Sequence, residues 1–184
     1  MQLIQLVLCL CLLLSSGCGV LIGNVKPVDE KSEEYYVTDL SKSNNDWVKL
    51  DPASTSEKQR ENNESTEISD VTFQSKSTAS IISLNSACRP NLQKQKHDLR
   101  EFTRELLFGI SDITRRTEKE TSVSGETALE TTVRGKLNTE PMMLRTVILQ
   151  HRKCVYDLMY IARPNFFKKH LDDFSRFVAS LKLK

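Results

Sequence analysis

Apolar positions along this chain fall into three regimes. Leu3 to Leu14 is an almost unbroken apolar run, Lys26 to about Glu67 has scattered apolar residues without a period, and from Ser69 onward they recur at regular spacings. In that last regime Asp70–Gln74 and Thr78–Ala87 are rich in β-branched and apolar residues and end at the stop signal Asn85-Ser86-Ala87-Cys88-Arg89-Pro90, which predicts two strands. Between Asn91 and Ile110, Leu99, Phe102, Leu106 and Ile110 stand three and four apart with charged residues on the other faces. That spacing predicts an amphipathic helix of about five turns, closed near Gly109. In Thr127–Leu137, Leu129, Thr131, Val133 and Leu137 alternate with Glu130, Thr132, Arg134 and Lys136, the period of a half-exposed strand. Ile113–Val123 is more polar and reads as an edge strand joined by a turn at Ser124-Gly125. Met142–Gln150 and Val155–Ala162 are apolar on both faces and read as central strands, with a hairpin at His151-Arg152-Lys153. Phe167, Leu171, Phe174, Val178 and Leu181 then predict a second helix, started by Pro164 or capped by Asn165.

The expected class is therefore α+β: an antiparallel sheet of about five or six strands covered by two helices, in the order β-β-α-β-β-β-β-α. Three divisions follow. Residues 1–17 read as a signal peptide, 18–68 as a lipidated N-terminus and flexible acidic tether, and 69–184 as the folded domain. Tyr35-Tyr36 and Trp47-Val48 interrupt the tether as a candidate docking segment or as isolated spacer aromatics.

The apolar run is followed by Ser15-Ser16-Gly17-Cys18, which resembles the bacterial lipobox. Gly17 and Ser16 fill its small positions and Cys18 is the lipid acceptor, while Ser15 stands where leucine is usual. The resemblance implies cleavage before Cys18 and anchoring through its acylated thiol. An uncleaved anchor is the rival reading, because Gly19-Val20-Leu21-Ile22-Gly23 extends the uncharged stretch. Gly19, where an Asp would resemble an inner-membrane retention signal, implies the outer membrane, facing the periplasm. Cys9 and Cys11 leave with the leader, so Cys88 and Cys154 remain as a disulfide or as two buried thiols.

The segments ISLNSACR, ALETTVRGKL, RTVILQHRKCVYDLMYIARP and the final FxxFVASL, with the helix between the first two, resemble a group of uncharacterised lipoproteins from delta-class proteobacteria. The element order is similar to PsbP-like domains. This resemblance implies an extrinsic, membrane-associated assembly or interaction module, and it brings no functional residues with it.

Charge adds one asymmetry. Lys26–Asp70 carries 6 basic and 12 acidic residues, Val71–Lys184 carries 20 and 12, so an acidic segment precedes a basic one. The basic residues are mixed with acids and lack interleaved stacking aromatics, which argues against nucleic acid as a partner. His97, His151 and His170 have no metal-ligand spacing and read as surface residues; Glu118 with Glu120, and Asp172 with Asp173, read as solvated pairs. No nucleophile elbow, phosphate loop or dinucleotide fingerprint is present in the sequence. The expectation is a non-enzymatic envelope module without catalytic residue, cofactor or metal, held to the membrane by lipid and meeting an unknown envelope protein. The alternative is a small-ligand or lipid carrier, with a pocket lined by Met142, Met143, Met159, Phe166 and Phe174.

Overall fold

The computed structural model of the chain describes residues 35–43, 45–51, 70–88 and 98–184. The elements are β1 (Tyr35–Tyr36), α1 (Leu40–Ser43), β2 (Trp47–Leu50), β3 (Val71–Ser75), β4 (Ile81–Cys88), α2 (Leu99–Leu106), β5 (Ile110–Val123), β6 (Glu126–Leu137), β7 (Glu140–His151) and β8 (Cys154–Ala162). A 3₁₀ turn (Phe167–His170), α3 (Leu171–Ala179) and β9 (Lys182–Leu183) complete the chain. Seven strands form one antiparallel sheet in the order β2-β3-β4-β8-β7-β6-β5, and β1 pairs with β9 in a separate ribbon.

The hydrophobic pattern explains the centre and one edge. β7 and β8 bury both faces and lie in the middle, whereas β5 is exposed along most of its length and lies at an edge. Consecutive hairpins join β5 to β8, with Ser124 and Gly125 both at positive φ (52° and 84°) in the first turn, as a two-residue hairpin turn demands. Gly135 on β6 is required by close approach: a Cβ there would lie 2.8 Å from the Ser111 carbonyl oxygen and 2.8 Å from Ile110 Cγ2. At that place β5 bulges between Ser111 and Arg115, with Asp112 at φ 48°.

The sheet is larger than the expected five or six strands, and the helices differ in number and order from the expected pair. The reason lies in residues 35–50, read from the sequence as tether. Trp47 (2% exposed) and Leu40 (1% exposed) insert into the core, and β2 adds a strand beside β3. Burying two such side chains contributes roughly 2–3 kcal/mol each, enough to hold a short polar segment in place. A strand of four residues is too short to display a period.

Both helices are shorter than expected. Asp98 caps α2, its carboxylate accepting from the Arg100 backbone N–H at 2.9 Å. The earlier part of the expected helix, residues 91–97, lies outside the described residues. Ile110, expected on the helix stripe, begins β5. At the other end Pro164 and Asn165 sit in a turn, the first expected helical turn is 3₁₀, and Leu181 precedes β9.

Each face of the sheet has its own helix. α3 packs Phe174 and Phe177 against Tyr160 and Phe73, with ring centroids 5.8 and 5.9 Å apart. This side holds the large core with Trp47, Ile82, Leu84, Tyr156 and Leu158. α2 covers the opposite face, with Leu106 and Leu107 over Val133, Met142 and Leu144, and Leu99 and Phe102 over Ile148 and Val155.

Candidate functional site

Cys18 lies outside the described residues, as does His97. Cys88 and Cys154 are directly opposed in the β4–β8 ladder, their Cα atoms 4.0 Å apart and their sulfurs bonded, closing a loop of 66 residues. Glu118 and Glu120 face Arg100 of α2 at 3.7 Å each. His151, at the end of β7, places Nδ1 2.7 Å from Glu126.

His170 and Asp173, expected at the surface, are instead buried, 3% and 7% exposed. Asp173 accepts from Trp47 Nε1–H at 3.0 Å and lies 3.1 Å from His170 Nδ1, while His170 Nε2 lies 3.3 Å from Ser75 Oγ. Ser75, His170 and Asp173 thus follow the order of a nucleophile, base and orienting carboxylate. The hydrogen bonds assign them another task. Ser75 donates its only hydroxyl proton to Asp46 at 2.7 Å and accepts from the backbone N–H and the hydroxyl of Thr78 at 3.1 and 2.9 Å, leaving no proton for His170 to take. Burial opposes the charge on Asp46, but hydrogen bonds from Ser75 and Ser77 outweigh it and hold the carboxyl below the usual range. This network fastens β2 and the 3₁₀ turn to the sheet. A second fastening ties β1 down: Tyr35 and Ser86 donate to Asp70 at 3.1 and 2.5 Å, and burial raises the Asp70 pKa.

Open chemistry lies on the other half of the same face. α3 and the 3₁₀ turn pack over β3, β4 and β8, and a groove lies between them and β5, β6 and β7. It consists of two cavities that share Arg145. One, of about 300 Å³, is lined by Thr121, Glu130, Val147, Phe174 and Val178 among others. The second, of about 270 Å³, is lined by Arg115, Thr117, Thr132, Arg134, Met143, Arg145, Phe167, Lys168 and Leu171. Among the described residues no acid lines the second cavity.

Its charges are placed by register. Arg115 and Arg134 are directly opposed in the β5–β6 ladder. Before the bulge Ser111 opposes Lys136, so without the two surplus residues Ile113 would occupy the place of Arg115. Arg145 donates to Thr132 at 3.1 Å and stands 3.7 Å from Glu130, which also meets Lys119 at 3.3 Å. Arg115, Arg134 and Lys168 have no carboxylate within 4.0 Å among the described residues. Phe167, Met143 and Leu171 supply an apolar wall beside these cations.

The sequence-derived pocket of Met142, Met143, Met159, Phe166 and Phe174 is not assembled. Met142 and Met159 pack beneath α2 on the opposite face, Phe166 is 37% exposed, and only Met143 and Phe174 reach the groove. The signal for the real groove was the polar face of β6, where Glu130, Thr132 and Arg134 alternate with the buried set. That face reads as solvent-facing until α3 is set beside it.

A seven-stranded antiparallel sheet with a helix on each face and a basic groove at one end defines an α+β module with a concave surface. Against known proteins, that architecture is PsbP-like. The solution structure of the cyanobacterial PsbP protein, CyanoP, from Synechocystis sp. PCC 6803 is similar with a TM-score of 0.54 at 11% identity, over 92% of this chain and 99% of that one. LpqN of Mycobacterium tuberculosis, described as involved in cell envelope biogenesis, is similar with a TM-score of 0.55 at 10% identity, over 86% and 90%. At such identities the likeness is one of fold. No family model matches the chain, and no curated protein matches it. Among the described residues no helix is long and apolar enough to cross a membrane.

Proposed function

We propose that this chain is a lipid-anchored, non-enzymatic module of the bacterial cell envelope, tethered at Cys18 to the outer membrane facing the periplasm and presenting its sheet face to an envelope partner. The observation that carries this reading is the Leu3–Leu14 run followed by Ser16-Gly17-Cys18, ahead of a fold that LpqN, an envelope biogenesis protein, also has. The Cys88–Cys154 bridge fits an oxidising compartment. Affiliation with the delta-proteobacterial lipoproteins is part of the same proposal. In this reading the chain from Cys18 to Tyr35, where the first described element starts, spans no more than about 60 Å even at full extension. The module therefore works close to the bilayer.

Metabolic labelling with a clickable palmitate analogue tests the anchor. Wild-type chain takes up label and sediments with membranes, and Cys18→Ser does neither. Label that persists on the variant overturns the reading. A second reading, a carrier of small ligands, is favoured by the groove between α3 and β5–β7.

A further inference from the structure

We infer that the groove binds a single-chain amphiphile with an anionic head: a phosphate or carboxylate held by Arg115, Arg134 and Lys168, and an apolar chain lying on Phe167, Met143 and Leu171. The inference deepens the carrier reading and rests on it, and it does not depend on the lipid anchor.

Three observations converge on that class of ligand. Two arginines directly opposite one another in a ladder repel, and a β-bulge with a residue at positive φ is the feature that brings Arg115 to this register. Ion pairs relieve the neighbouring cations Lys119 and Arg145 through Glu130, but no acid relieves Arg115, Arg134 or Lys168 among the described residues. An anion between them would remove the repulsion and receive forked hydrogen bonds that match a phosphate or carboxylate. The cavity is concave and walled on one side by protein, so its positive field is focused where an anion would sit.

The apolar wall decides what the anion is attached to. Phe167 is 4% exposed and fixed by stacking on Tyr160 at 5.1 Å, and Met143 and Leu171 are half-buried beside it. A free inorganic anion would leave this surface wet. At about 270 Å³ the cavity is close to the size of a small ligand, and Arg145 also lines the neighbouring cavity with Val147, Phe174 and Val178. An acidic protein surface is too broad to enter it.

Isothermal titration of the full chain in phosphatidylcholine nanodiscs, with empty nanodiscs as blank, tests the inference. Hexyl phosphate is expected to bind with one-to-one stoichiometry, at least about tenfold more tightly than inorganic phosphate, and hexyltrimethylammonium is expected not to bind. Arg115→Gln with Arg134→Gln should weaken hexyl phosphate by about tenfold or more, and Lys168→Gln by a smaller factor. Arg104→Gln, on α2 across the sheet, removes the same single charge as Lys168→Gln and should change nothing. Equal affinity for inorganic phosphate, binding insensitive to the arginine pair, or a response only to phosphatidylglycerol vesicles and not to monomeric hexyl phosphate would each overturn it. Palmitate labelling fails or succeeds independently, so loss of the anchor reading and loss of the ligand reading are told apart.

Discussion

The strands β5 and β6 carry opposite electrostatics on their two faces. Toward α2, Glu118 and Glu120 meet Arg100, and Arg116 meets Glu118 at 2.5 Å. Toward α3, Arg115, Arg134 and Lys168 gather around a cavity that no acid lines among the described residues. The pleat does the sorting, since alternate residues of one strand point to opposite faces. Exposed ion pairs contribute roughly 0–1 kcal/mol, so the paired face gains little stability from its salt bridges. One face is closed by a helix and its charges are paired, while the other keeps three cations without an acidic partner among the described residues beside apolar surface. The second arrangement serves binding more readily than folding.

The largest effects should come from the helices that make the faces unequal. Phe177→Ala, removing a fully buried ring from α3, should cost about 3–5 kcal/mol in denaturant unfolding, against roughly 1–2 for Phe102→Ala on α2, which is only partly buried. Equal costs would mean that both faces hold the fold alike. Next in size is the bridge on the α3 side. Replacing Cys88 and Cys154 by Ala frees a loop of 66 residues and should cost about 2–4 kcal/mol, read as the difference between wild type and variant without reductant. Adding reductant should bring the wild type close to the variant.

Much of this asymmetry was legible beforehand. Strand positions from β3 to β8, the edge place of β5 and the central places of β7 and β8 follow from alternation and from doubly apolar runs, which are properties of neighbouring residues. Residues 35–50 read as tether because β1, α1 and β2 are two to four residues long and depend on Trp47 and Leu40 finding distant partners. His170 and Asp173 were misread as exposed because their partners Ser75 and Trp47 lie 95 and 126 residues away. The groove was hidden for a similar reason. Which cations face each other depends on a bulge that no alternation pattern shows, and α3 covers only part of the sheet.

A smaller effect lies under α2. The hydroxyls of Thr131 and Thr146 are fully buried, directly opposed across β6 and β7, and have no hydrogen-bond partner among the described residues. Because a buried hydroxyl without a partner costs free energy that a methyl does not, Thr131→Val with Thr146→Val should stabilise the fold by about 1 kcal/mol. Thermal unfolding checks this. A loss would show that the closed face holds an ordered polar contact, and the contrast with the open face would narrow.

The smallest effect separates folding from binding most sharply. If Arg115 and Arg134 face each other without an anion, Arg134→Gln relieves repulsion and should raise the Tm by about 1 °C at low salt, with the gain shrinking as salt screens the pair. The corresponding change on the closed face, Arg100→Gln, removes a partner of Glu118 and Glu120 and should lower the Tm slightly under the same conditions. Opposite signs from two neutralising substitutions, on two faces of the same strands, would mark Arg134 as a residue kept against the interest of stability. Like signs would mean that the register of the two arginines carries no electrostatic strain, and the case for an anion between them would lose its strongest physical ground.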